Sequence, residues 1–259
     1  MNINKLRQRW HSKTAMAVDL IVIASLWQVS TYFLPPIITP SLAAIGKALL
    51  NIFIDPDLRI HLIYTSLRVL LALLGAFVIG SSLGLLMGGS DAVRDYAKPI
   101  LNLMQGIPAL SWIVFAVIWF TNVEVRIAFI ILMVTIPAFA SQVDSAMRGV
   151  NLDLVQLGQA FRATRLQRYM FVILPAITPS ILSVWSLNIG NAVRVAVVAE
   201  LIGATRGVGF QLLNAQSILD MAGAIAWTIS LVIVLSFYQG VITFIEGRLL
   251  AWRPRGEIA

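Results

Sequence analysis

Residues 151–175, NLDLVQLGQAFRATRLQRYMFVILP, decide how this chain is read. They are polar, basic and compatible with helix, they end in Leu174-Pro175, and long apolar runs flank them. Leu154, Leu157 and Phe161 recur at i, i+3 and i+7, one helical face, while Gln156, Gln159 and Arg162 lie towards the other. A second short amphipathic stretch carries Leu166, Tyr169 and Met170. Two readings fit: a surface helix resting on a bilayer, or a helix that docks into a partner protein.

The flanking runs set the fold class. Only 12% of the 259 residues are charged and 59% are apolar, whereas soluble domains carry about 25% charged residues. An all-α integral membrane protein is predicted. Six stretches, near 15–34, 64–89, 99–120, 125–145, 173–202 and 223–245, are long enough to cross a hydrocarbon core of roughly 30 Å. They are too long and too uniformly apolar for the alternating strands of a membrane β-barrel.

The charges follow topology rather than a nucleic-acid patch. Lys5, Arg7, Arg9, Lys13, Arg94, Lys98, Arg148, Arg162, Arg165, Arg168, Arg248, Arg253 and Arg255, 13 of the 19 basic residues, fall on one side of the predicted spans. Lys47, Arg59, Arg126 and Arg206 fall on the other. The positive-inside rule makes the first side cytoplasmic. Both termini are then cytoplasmic, which fits an even number of spans. The expected organisation is a cytoplasmic segment 1–14, a six-helix transmembrane domain 15–250 with a cytoplasmic coupling-helix region 150–171, and a cytoplasmic tail 251–259. The basic start and apolar run read as a retained first span, because the run is too long for a signal peptide and contains Asp19. In the external loop 35–63, residues 41–54 have helical periodicity.

Much chemistry is absent. The sequence has two histidines and no cysteine, no GxSxG, no HExxH and no P-loop; Gly46-Lys47 is followed by Ala48. No metal site is expected. An enzyme would have to rest on isolated acids such as Asp19, Asp144 or Glu200, so no catalytic residue is assigned.

Span 2 repeats glycine at Gly80, Gly84 and Gly88, a flat face that admits another backbone. Pro99, Pro108 and Pro137 are expected to interrupt spans 3 and 4. Span 5 holds Arg194 deep in an apolar helix, where insertion costs on the order of 2.5–3.5 kcal/mol and function is the default hypothesis. Ser183, Ser186, Gly190 and Arg194 share one face, with Asn191 at its edge, a stripe suited to a water-lined path for a small anion. The competing reading pairs Arg194 with an acid, Glu200 or Asp144. Ser111 and Trp112 are further pathway candidates, with packing as the rival for Trp112. Glu200, at the outer end of span 5, either forms a gate with Gly207 and Gly209 or braces the loop 204–222.

The sequence also resembles a known family. Ser66-Leu67-Arg68-Val69, Gly84-Leu85-Leu86-Met87-Gly88, Ile107-Pro108-Ala109-Leu110-Ser111-Trp112, Ile118-Trp119-Phe120 and the run Val198 to Gly209, with the Leu174-Pro175 end of the loop, resemble the inner-membrane permease of ABC importers. The nitrate, sulfonate, taurine and bicarbonate group is the nearest likeness, over roughly 60–255. That family's loop reads Glu-Ala-Ala, three residues, Gly, nine residues, Ile-x-Leu-Pro. Counting back from Val172 and Leu174-Pro175 sets Gln156 where the family has Glu, Leu157 and Gly158 on the alanines, and Arg162 on the Gly. The loop is thus a degenerate form.

The resemblance implies a type I importer permease that pairs with a second copy, identical or not. Gln156, Leu157, Gly158, Phe161, Arg162, Ala163 and Thr164 would contact a cytoplasmic ATPase subunit. ATP and Mg would be bound there, not by this chain. A periplasmic or lipid-anchored binding protein would deliver the solute across the bacterial inner membrane. The rivals are an ion-coupled secondary transporter acting without an ATPase, and a scaffold protein.

Overall fold

The computed structural model describes residues 18–250. The expected terminal segments 1–14 and 251–259 lie outside the described residues, as does the start of the expected first span. The described residues are almost entirely helical. They comprise α1 (Val18–Ser30), α2 (Leu42–Ile54), α3 (Pro56–Gly89), α4 (Asp91–Gly106), α5 (Ala109–Trp119), α6 (Val123–Arg148), α7 (Leu152–Ala160), α8 (Arg165–Arg168), α9 (Leu174–Leu201), α10 (Val208–Ser217) and α11 (Met221–Leu249). A π turn, Tyr169–Ile173, joins α8 to α9.

The chain divides into two compact units. The first holds the residues up to Arg59 together with 211–230. Here the end of α1 is tied to the start of α2: Trp27 Nε1 donates to the Pro40 carbonyl at 3.0 Å and Leu42 N–H donates to Gln28 at 3.2 Å. Ser41 caps α2 by accepting from Ala44 N–H, which gives the expected loop helix of 41–54 its start.

The second unit holds 60–210 and 231 onward. Its core runs through Val69, Leu73 and Ala76 of α3, Ile113 and Ala116 of α5, Ile127, Ile131 and Phe139 of α6, and Ala192, Ala196 and Ala199 of α9. α6 is the central helix, packed against α4, α5 and α9. The glycine face of α3 meets α6: a β-carbon on Gly80 would lie 2.8 Å from the Ile136 carbonyl, and one on Gly84 2.6 Å from that of Ala140. Only glycine permits this approach.

Among the described residues four helices, α3, α6, α9 with its preceding turns, and α11, are long and apolar enough to cross a membrane, and α4 with α5 makes a fifth if the pair counts as one. The expected third span is therefore not a straight helix but two helices bent by 94°. The prolines behave unequally. Pro99 and Pro137 lie inside α4 and α6, which continue through them, contrary to the expected interruptions. Each removes one backbone hydrogen bond and crowds the carbonyl four residues back, and membrane helices tolerate this where neighbours satisfy the freed group. Pro108 does break the chain, because it forces Ile107 into extended geometry (φ −79°, ψ 122°) directly after Gly106.

Candidate functional site

The two faces of α9 differ sharply. Val184, Asn188, Ile189, Ala192, Val193 and Ala196 are buried. Ser183, Leu187, Asn191, Arg194 and Val198 are exposed, and Ser186 is half-buried. Gly190 is buried beside the stripe, about 3.9 Å from Arg194 Nη2 measured at its missing β-carbon. Arg194 Nη1 donates to Asn191 Oδ1 at 3.1 Å, one turn back. Arg194 forms no ion pair among the described residues. Ser111 of α5 is half-buried. Trp112 is buried, edge-on to Phe115 and Phe129, so its ring belongs to the core, although its Nε1 has no hydrogen-bond partner.

The two acids proposed as partners for Arg194 are engaged elsewhere. Glu200, fully buried, receives Arg68 Nη1 at 2.7 Å, the Thr65 hydroxyl at 2.9 Å and Gly209 N–H at 2.9 Å. Arg68 also grips Glu124 through two nitrogens, at 2.5 and 2.7 Å, and donates to the Arg206 carbonyl at 2.6 Å. Val208 N–H donates to Thr65, and Gly207 N–H to His61 Nδ1. The backbone from 206 to 209 is thereby held against α3 and the end of α9. Gly207 has φ +122°, and a β-carbon there would strike the Glu200 carboxylate. Glu200 thus bonds α3 and the backbone of Gly209 at once.

Asp144 lies in a second cluster. It receives Arg94 at 3.0 Å and Arg148 at 3.1 Å, and Arg148 also donates to Asp91 at 2.8 Å and the Met87 carbonyl at 3.3 Å. These bonds tie the ends of α3 and α6 to the start of α4.

The loop between α6 and α9 folds as two short helices. Asn151 caps α7 by accepting from Asp153 N–H. Thr164 and Gln167 form a reciprocal capping box on α8. Between them the chain turns on Arg162, whose φ is +53°. Arg162 N–H donates to Gln159 O at 2.8 Å and Ala163 N–H to Gly158 O at 3.0 Å, the two bonds of a Schellman C-cap. Arg162 therefore holds the left-handed position that glycine favours, in the place where the resemblance sets a glycine. Leu157, Phe161, Arg162 and Thr164 are exposed, Gln156 too, and Gly158 and Ala163 are half-buried.

Residues 76–250 match the family described as the binding-protein-dependent transport system inner membrane component. The chain belongs to that family. This permease is 28% identical to the taurine transport system permease protein of Escherichia coli K12, across 100% of its own length and 97% of that protein's. It is 27% identical to a putative aliphatic sulfonates transport permease protein of Bacillus subtilis 168, covering 97% and 91%. With the nitrate import permease protein of Synechocystis it shares 24% over 76% and 69% of the two chains. The group expected from the sequence is the one these relatives represent. Among solved structures, an inward-facing MetNI methionine ABC transporter matches with a TM-score of 0.61 at 18% identity, covering 78% of the permease and 100% of that chain. The all-α importer-permease fold is shared. The permease is a transport component rather than an enzyme.

Sequence reasoning singled out Glu200 but missed Thr65, Arg68, Glu124 and His61 as its surroundings. One signal was available. Arg68 is the only charge inside the predicted second span, and an intramembrane charge needs a partner.

Proposed function

We propose that this permease is the membrane half of an ATP-driven importer for a small anion of the taurine, sulfonate, nitrate or bicarbonate kind. The solute passes from periplasm to cytoplasm across the bacterial inner membrane. Two permease copies, identical or paired with a related chain, face each other across the α9 stripe and enclose the path. A binding protein presents the solute outside. ATPase subunits holding ATP and Mg engage residues 156–164 inside and drive alternating access. Each copy crosses the membrane six times with both termini cytoplasmic.

The observation that carries this reading is Arg194. It stands on the exposed face of α9 with no acid partner among the described residues, while Glu200 and Asp144 are engaged by other arginines. A positive charge with no acid beside it in a membrane path attracts an anion. The names of the relatives support the same class of solute. A secondary transporter would need intramembrane acids for its coupling ion, and Glu200 and Asp144 are both held by arginines.

The test is uptake of taurine, an alkanesulfonate and nitrate into vesicles containing the permease, its ATPase and its binding protein. Arg194→Ala should lower uptake at least tenfold, because a hydrogen bond to a charged group is worth about 1.5–3 kcal/mol. Arg194→Lys should retain part of it. Wild-type uptake in both variants would sink the proposal.

A further inference from the structure

The loop 151–171 carries three arginines, Arg162, Arg165 and Arg168, against one acid, Asp153, a net charge of 3 − 1 = +2. None of the three pairs with an acid among the described residues. Arg162 and Arg165 are exposed. Arg168 lies with its stem over Gly158, and its Nε is buried without a hydrogen-bond partner. Beside these charges runs an apolar groove of about 620 Å³, lined by Leu157, Phe161, Phe171, Val172 and Pro175. An apolar centre with a charged rim is the anatomy of a protein interface.

Arg162 adds a second, independent observation. Its left-handed backbone disfavours any side chain with a β-carbon. Glycine would satisfy the same C-cap without that cost. A residue kept in a strained conformation points from the strain to a use for its side chain. An arginine that served only lipid headgroups would need no such place, since a flexible stem can snorkel from any turn of α7.

We propose that Arg162 is the specificity-determining contact between this loop and its ATPase, pairing with a carboxylate on the rim of the groove that receives the loop. The inference rests on the ATP-driven reading above and names the partner's chemistry. Relative to the family pattern, the loop has lost an acid at Gln156 and gained a cation at Arg162. The matching surface is therefore acidic, and ATPases built to receive the usual acidic loop are rejected by like chemistry.

The experiment uses full-length permease in nanodiscs of zwitterionic lipid and measures the Kd of its cognate ATPase subunit at low and high salt. Wild type should bind, more weakly as salt rises. Arg162→Gly should raise Kd about tenfold and flatten the salt dependence, the loss expected of one charge-assisted contact. Arg162→Glu should weaken binding further, and Arg162→Lys should restore much of it. Equal Kd for wild type and Arg162→Gly overturns the inference. So does a loss seen only when anionic lipid is present, which would assign Arg162 to headgroups. An ATPase that fails to bind even the wild-type permease overturns the importer reading itself.

Discussion

Two side chains define the chemistry at the scale of single residues, Arg162 by its backbone conformation and Glu200 by its burial. Arg162 sits at φ +53°. Replacement by glycine should stabilise the isolated permease by about 1 kcal/mol, read as a rise in melting temperature in detergent. A fall would mean that the arginine side chain itself holds the loop. Glu200 is fully buried and shared by Arg68, Thr65 and Gly209. Glu200→Ala leaves Arg68 with only the exposed Glu124 as its acid, and breaking such a buried pair costs about 3–5 kcal/mol. Thermal unfolding of that variant should drop steeply, and Glu200→Gln should fall between it and wild type. The sequence made Glu200 conspicuous, because an acid at that depth is rare. It could not name Arg68, which is 132 positions away. No local spacing rule reaches across two helices.

Among the elements, the glycine face of α3 is the most exacting. Gly84 faces the Ala140 carbonyl, so any side chain there must push α3 away from α6. Gly84→Leu should reduce the yield of folded permease, measured by monodispersity after extraction. Gly89, with nothing within 4 Å of its missing β-carbon, should tolerate alanine. This face was legible in the sequence because glycine recurs every four residues. The break between α4 and α5 was only half legible. Three prolines look alike in the sequence, but only Pro108 follows a glycine and an extended residue, and only there does the helix turn through 94°. Two short helices, α7 and α8, form within the amphipathic loop, yet the left-handed turn between them was not foreseen. Nothing about an arginine announces positive φ.

For the whole molecule, the two charged clusters divide the labour of rigidity. Arg68 and Glu200 fasten the end of α9 to α3, while Asp144 fastens α6 to α4. The exposed face of α9 carries Ser183, Asn191 and Arg194 beside Leu187 and Val198. The proposed topology can be checked directly, because the chain has no native cysteine. A membrane-impermeant thiol reagent should label Thr205→Cys from outside intact spheroplasts. Arg165→Cys should react only after permeabilisation. The reverse pattern would invert the proposed orientation.

The π turn at Tyr169–Ile173 connects the loop to α9. One residue subtends about 100° of an α-helix. Were the same residues wound as α-helix, α7 and α8 would swing by about that angle around the axis of α9, whereas the wider π turn absorbs the surplus residue. The compass bearing of the loop relative to Arg194 is thus kept by a widened turn that takes up one surplus residue, a feature of register and not of any contact.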